Sequence, residues 1–501
     1  MRNKNLYRIV LILGFIIINA LILFGISQVI AYLNTGADTS KIYRADIKTE
    51  AYYTPIFHWN SIENPGRKLL PETQKKIARD YKNAWYVKNL AFKTFETQPL
   101  HDHYTKKAVA TITEQLKWNA KNNIQFETTT LTHNVSLELL SADGKLAVLR
   151  DDDVRIFTRQ IVNNSQVFKK EETASFRVVL LLEDGFWKIR HIEKIPSNKK
   201  ENSFPLATLP KTTIKGINYY PQNSPWDTFG NHFSEETLQN DFQKIKGLGL
   251  NAIRVFVVYE DFGKAHVSEE KIEKLMTLLS IANENKLQVL ITFFDFYGDY
   301  AVMDWPQTHV HVSKIIKKIQ NHPAILAYDI KNEPDLDFKN RGDELVTAWL
   351  SSIIKTIKQH DRVHPVTIGW SSAKAARILE NEVDYISFHY YQDIENLSNT
   401  VSEIQNTTSK TVVVEEFGMS TNAAFWNPFS NSEEDQYTFY ESFFEQQKRD
   451  SINYLSWTLY DFPDIPNKVV GSLPWKKHRQ KHFGLYKISG PKKKAVSLFK
   501  K

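Results

Sequence analysis

The chain has 501 residues, enough for two or three domains with separate cores, which excludes a single small module. Its 64 Lys and Arg against 57 Asp and Glu leave a net charge of only +7, spread thinly along the chain, and this argues against a nucleic-acid partner. The absence of cysteine excludes disulfides, cysteine-ligated metal sites and thiol catalysis.

Residues 1–40 differ from the rest. No charged residue occurs from Ile9 to Ala37, and the apolar run 9–33 is long enough to cross a bilayer. Arg2, Lys4 and Arg8 precede it and Asp38 follows. By the positive-inside rule the N-terminus is cytosolic and the remainder extracellular, anchored in the cell membrane by one span. A cleaved signal peptide is the rival reading, with Val29 and Ala31 at a small-residue cleavage site, but its apolar region would be unusually long.

Residues 41–200 read as an α+β domain: an opening loop with Pro55, Pro65 and Gly66, helices over 71–91 and 108–118, then short strands separated by Asp-Gly turns at Asp143-Gly144 and Asp184-Gly185. Trp59, Trp85, Trp118 and Trp187 are expected in its core, and Asp151, Asp152 and Asp153 in a solvated turn. The closing hairpin, Val-Leu-Leu-Leu-Glu-Asp-Gly-Phe-Trp-Lys-Ile-Arg, resembles the last hairpin of NTF2-like domains. No catalytic constellation occurs here, so this domain is expected to be dispensable for chemistry. Residues 201–211 form a linker.

From 212 to 501 apolar, β-branched runs alternate with amphipathic helices. The runs cover 214–220, 252–258, 288–294, 325–330, 365–369, 385–390, 411–414 and 453–458, with helices such as 268–286 and 343–360 between them. Eight such units predict an α/β fold, a (β/α)8 TIM barrel whose active site lies at the C-terminal ends of the strands. Run four ends Asn332-Glu333-Pro334 and run seven ends Glu415-Glu416-Phe417-Gly418. Two carboxylates facing each other across a barrel mouth are what glycoside hydrolysis needs.

This part of the chain resembles clan A glycoside hydrolases, most closely the family 5 cellulases and mannanases. The resemblance implies Glu333 as acid/base and Glu416 as nucleophile. It also implies Asn332 as partner of the sugar 2-hydroxyl, Arg254 as support for the nucleophile, Tyr391 as its hydrogen-bond donor, His389 on the substrate side and Trp457 under the sugar. Family members often carry histidine at the end of strand three, where this chain has Asp295. Arg254 and Tyr391 are expected to keep Glu416 ionised, and the nearby negative charge to push the Glu333 pKa upward. Because side chains alternate along a strand, Glu415 is expected to point away from the sugar site.

Trp226, Trp305, Trp370, Trp426, Tyr460 and Trp475 are further candidates for stacking on sugars. His309 and His311 have metal-pair spacing without carboxylate company, so no metal or cofactor is expected. Lys476, Lys477, His478, Arg479 and Lys481 form a basic loop that either is solvated or meets anionic polymer or lipid headgroups. The expected activity is that of a membrane-anchored retaining β-glycosidase acting on a β-linked polysaccharide or oligosaccharide. A non-hydrolysing glycan-binding or export accessory and a transglycosylase are the alternatives.

Overall fold

The computed structural model describes residues 12–26, 53–197, 204–422, 431–488 and 490–499. Residues 12–26 are helical, with apolar side chains such as Phe15, Leu21 and Phe24 exposed. Among the described residues no helix is long and apolar enough to cross a membrane. The rest of the expected 9–33 span, and Trp426, lie outside the described residues.

The first lobe is a five-stranded sheet in the order β1 to β5, made of β1 (Ile56–Ser61), β2 (Ile124–Leu140), β3 (Leu146–Val162), β4 (Ser165–Glu183) and β5 (Phe186–Ile195). Helices α1 (Pro71–Thr94) and α2 (Lys106–Lys121) cover it. The expected opening loop therefore contains a strand, β1, which pairs in parallel with β2. The expected short strands are halves of long ones. β-Bulges near Thr130 and between Asp151 and Val154 interrupt the alternation. An Asn163-Asn164 turn, both residues at positive φ, joins β3 to β4. Asp151 is not in a solvated turn. It is wholly buried, accepting from Tyr81 Oη at 2.8 Å and lying 2.6 Å from His133 Nδ1. Trp85 and Trp187 are core residues, whereas Trp118 is exposed.

The second lobe is a closed parallel barrel of eight strands: β6 (Lys215–Asn218), β7 (Ala252–Val258), β8 (Gln288–Asp295), β9 (Ile325–Asn332), β10 (Val366–Trp370), β11 (Ile386–Tyr390), β12 (Val412–Phe417) and β13 (Asn453–Ser456). Each expected run supplies one strand. Outside lie α3 (Glu235–Gly247), α4 (Glu269–Glu284), α5 (Trp305–Ile319), α6 (Asp343–His360), α7 (Leu397–Gln405) and α8 (Glu433–Asp450). The β10–β11 connection carries only a single 3-10 turn, Ala375–Arg377. Side-chain caps from Ser234, Ser268 and Ser432 start α3, α4 and α8. A short helix, α9 (Pro474–Lys481), follows β13.

The barrel interior is layered. At the bottom Ile214, Ala252, Leu290, Val413 and Leu455 form an apolar cluster. Above it sits a charged layer centred on Arg254, which is fully buried and donates to Asp329 Oδ2 at 2.7 Å and Thr292 Oγ1 at 2.8 Å. Only a glycine fits at position 369. A Cβ there would stand 2.8 Å from both Arg254 Nη2 and Glu415 Oε2, and 3.0 Å from Asp329 Oδ2.

The two lobes share a core. Leu131 and Phe157 of the first lobe belong to the barrel's hydrophobic cluster, and Phe157 stacks on Trp305 of α5 with ring centroids 4.2 Å apart. Arg155 crosses the boundary, donating to Thr356 Oγ1 at 2.8 Å while paired with Glu171 at 2.6 Å. Strand β2 also packs on the turn Val302–Asp304, which follows the loop at the end of β8.

Candidate active site

A cleft of about 680 Å³ opens at the C-terminal ends of the barrel strands. Glu333, Asn332, Glu416, Tyr391, Trp457 and Asp295 all line it, so six of the eight residues expected at the site reach the cavity wall. The other two, Arg254 and His389, lie beneath it at 0% and 1% exposure.

Glu416 is the most constrained group. Tyr391 Oη donates to its Oε1 at 2.5 Å and Arg254 Nη1 to its Oε2 at 3.3 Å. Glu333 follows the end of β9 with a left-handed backbone, φ 48°, and its amide donates to Gly369 O at 2.7 Å. Arg254 also donates to Asn332 Oδ1 at 3.0 Å, which leaves the Asn332 NH2 as the end free to meet a substrate oxygen.

His389 is buried beside the cleft and does not line it. Its Nδ1 stands 2.9 Å from Glu333 Oε1 and 3.8 Å from Glu416 Oε2, so the ring bridges the two carboxylates from below. This reverses the expected direction for Glu333. Burial pushes its carboxyl up, but the His389 imidazole, with Arg254 and Lys331, outweighs burial and holds it below the usual value. His389 responds in the opposite sense. Burial lowers its pKa, and the charge of Glu416 with the Glu333 hydrogen bond outweighs that and raises it. In the ligand-free site the proton shared by this pair therefore favours the imidazole.

Glu415 stays out of the cleft as expected, but not through strict alternation, which does not hold at the end of β12. The register of β11 and β12 shifts so that Phe388 faces Val414 while His389 faces Glu416. Glu415 is the extra residue of this bulge, and both glutamates turn inward. Glu415 lies in the charged layer, accepting from Ser387 Oγ at 2.9 Å and 4.0 Å from Arg254 Nη2. It is fully buried and does not line the cleft, and burial pushes its pKa up to about 7.

Asp295, in the place where family members often carry histidine, accepts from the Phe296 amide at 3.1 Å, and burial raises it to about 6. An aromatic wall completes the cleft: Tyr220 stacks on Phe256 with centroids 4.9 Å apart, and Trp226 lies 5.9 Å from Trp457. The Gly418 hydrogen is necessary for this wall, because a Cβ there would meet Trp457 O at 2.2 Å. Among the described residues of that further set of stacking candidates, only Trp226 lines the cleft. Trp305, Trp370 and Tyr460 are buried, and Trp475 is exposed outside it. Tyr220, Lys331 and Asp337 are site residues that the motif comparison passes over. Tyr220 closes the first apolar run, so the same rule of inspecting strand ends would have found it.

His309 and His311 make no metal pair. Each is buried in α5 on its own partner, Trp305 O at 2.7 Å and Lys264 O at 2.8 Å respectively. Among the described residues no group of three His, Asp or Glu side chains is arranged to hold a metal.

Residues 210–472 match the family model described as glycosyl hydrolases family 2, TIM barrel domain. Among curated proteins the chain is 23% identical over 266 residues to the β-glucuronidase of Chlorocebus aethiops, covering 49% of this chain and 39% of that protein. It is 22% identical over 263 residues to mannan endo-1,4-β-mannosidase A of Emericella nidulans, covering 41% and 67%. The chain thus spans well under half the length of the glucuronidase it matches. Solved structures that resemble it include an exo-β-1,4-mannosidase from Opitutaceae bacterium strain TAV5, with TM-score 0.47, 16% identity and coverage of 57% and 58%. A β-glucuronidase from Ruminococcus gnavus gives TM-score 0.47, 15% identity and coverage of 75% and 68%. The match falls on family 2 and not on the family 5 that the motifs resemble, while a clan A glycoside hydrolase barrel is common to both readings. With the matched segment covering just over half of the sequence and containing all eight barrel strands, the chain belongs to the TIM barrel domain family of the family 2 glycosyl hydrolases.

Proposed function

We propose that the protein is a retaining β-glycosidase that cuts a β-linked polysaccharide or oligosaccharide by double displacement. The observation that carries this reading is the fixation of Glu416 by Arg254 and Tyr391 directly across His389 from Glu333. Both carboxylates approach one imidazole nitrogen, at 2.9 and 3.8 Å, so they face each other across a single ring. A retaining pair, about 5–5.5 Å apart, needs such proximity for direct attack by the second carboxylate.

In the first step Glu416 attacks the anomeric carbon, the glycosidic C–O bond breaks, and the proton held by the Glu333–His389 pair passes through Glu333 to the leaving oxygen. Water then attacks the glycosyl-enzyme, gives its proton to Glu333, and releases Glu416. Asn332 offers its NH2 to the sugar 2-hydroxyl, Trp457 supports the ring, and Asp295 accepts from a hydroxyl.

The test is azide rescue on an activated aryl β-glycoside. Glu333→Ala should lose about 10²–10⁴-fold with poor leaving groups and give a β-glycosyl azide when rescued. Glu416→Ala should give the α anomer if it is rescued at all. Exchanged anomers would exchange the two roles, and full activity in Glu416→Gln would refute the assignment.

The reading includes a cell-membrane anchor, with the N-terminus cytosolic and the barrel extracellular. Support comes from Arg2, Lys4 and Arg8 ahead of the apolar run and from the exposed apolar side chains over 12–26. Protease added to wall-stripped cells should digest the barrel, and protection of the barrel would refute the orientation.

A further inference from the structure

The basic cluster after β13 is neither uniform nor wholly solvated. Lys477 and Lys481 of α9 turn to Asp464, at 4.0 and 3.5 Å. Lys476 and Arg479, three apart on another face of the same helix, line the cleft. Neither has an acidic partner among the described residues. The cleft's own carboxylates are engaged elsewhere: Glu416 by Arg254, Asp337 by Lys331 at 3.3 Å, Glu333 by His389 at 2.9 Å, and Asp295 by the Phe296 amide at 3.1 Å. A third cation on the same rim, Lys468 over the Phe296 ring at 4.9 Å, is by contrast paired with Asp261 at 3.5 Å. Just outside, Trp475 is 67% exposed and four residues before Arg479, so ring and guanidinium share one side of α9.

Two positive groups converging without counter-charge on a concave, catalytic wall raise the local concentration of anions there. A neutral glycan would use the Trp475 face and leave both charges idle. We propose that the cleft takes an acidic polysaccharide whose anionic substituents are bound by Lys476 and Arg479, with the chain leaving the cleft across α9. This deepens the glycosidase reading of the same cleft and rests on it. Carboxylate, sulfate and phosphate substituents share the required chemistry.

The experiment measures binding, so turnover does not enter it. Full-length protein in a neutral detergent is titrated at 0.15 M salt with four probes: polyglucuronate, its carboxyl-reduced neutral counterpart, dextran sulfate and a polyglycerol phosphate. At least one acidic probe should bind about tenfold or more tightly than the neutral one, and the one that does identifies the substituent. Lys476→Glu/Arg479→Glu should abolish that preference and flatten its salt dependence, whereas the charge-matched Lys477→Glu/Lys481→Glu should keep it. Equal binding of acidic and neutral probes would overturn the proposal, as would equal loss in both double variants, which would mean bulk charge alone. Loss of binding to phosphatidylglycerol vesicles with unchanged glycan binding would assign the cations to lipid and also overturn it. Azide rescue tests the glycosidase reading separately, so failure of one is distinguishable from failure of the other.

Discussion

Replacing Glu415 by glutamine isolates the cost of carrying a second glutamate beneath the nucleophile. The side chain is fully buried, its Oε1 has no hydrogen-bond partner among the described residues, and Asp329 repels it across Arg254. Its pKa of about 7 lies above the 4.5 of an unperturbed glutamate, so unfolding releases a proton anywhere between these values. Stability contributed by the protonated form is therefore complete below pH 4.5, falls as pH rises, and stops falling above pH 7. At 1.36 kcal/mol per pKa unit the loss amounts to about 3 kcal/mol. Glutamine has the same shape and no charge, and Arg254 keeps Asp329 at 2.7 Å and Glu416 at 3.3 Å. Urea denaturation followed by tryptophan fluorescence at pH 5, 6, 7 and 8 should show Glu415→Gln drawing ahead of the parent as pH rises, by about 3 kcal/mol at pH 8. A constant offset across pH, or a variant that falls further behind at high pH, would refute the reasoning. Glu415 would then be an ionised counter-ion of Arg254.

Three other expectations follow from the geometry. Tyr391→Phe deletes the 2.5 Å donor to Glu416 and should lower kcat/KM by about ten- to a hundredfold, the value of a hydrogen bond to a charged group, with the fold unchanged by circular dichroism. Gly369→Ala forces a methyl against three buried polar atoms and should cost about 1–3 kcal/mol in denaturation, together with activity, because Arg254 has to move. Arg155→Ala strands Glu171, which Arg155 and Lys355 hold down at about 2 despite burial. It should loosen the lobe boundary by about 3–5 kcal/mol at pH 7 and speed proteolysis there, with the deficit shrinking as pH falls from 4.5 toward 2.

The barrel was readable because each buried parallel strand leaves a dense β-branched run and each surface helix an apolar stripe, both local patterns. The carboxylate pair was readable for a related reason, since Asn332-Glu333-Pro334 and Glu416-Phe417-Gly418 close two of those runs. What escaped depends on contacts distant in sequence. The bulge that turns Glu415 inward arises from pairing with β11, and nothing in Val-Val-Val-Glu-Glu-Phe announces it. The place of His389 beneath the carboxylates, and with it the lowered Glu333 pKa, depends on three strands meeting. Asp151 looked solvated in a run of three acids, and only the distant His133 and Tyr81 explain its burial.

The shared core of the two lobes bears on how this protein can be cut or recombined. Strand β2 presses on the turn Val302–Asp304, and the loop just before that turn supplies Phe296, Tyr297 and Gly298 to the cleft. The lobe without catalytic candidates thus packs as a brace behind one bank of the cleft. A breakpoint at residues 201–211 would separate Trp305 from Phe157 and Thr356 from Arg155, leaving an apolar face bare on the barrel. Any chimaera that borrows the barrel therefore has to bring its brace along.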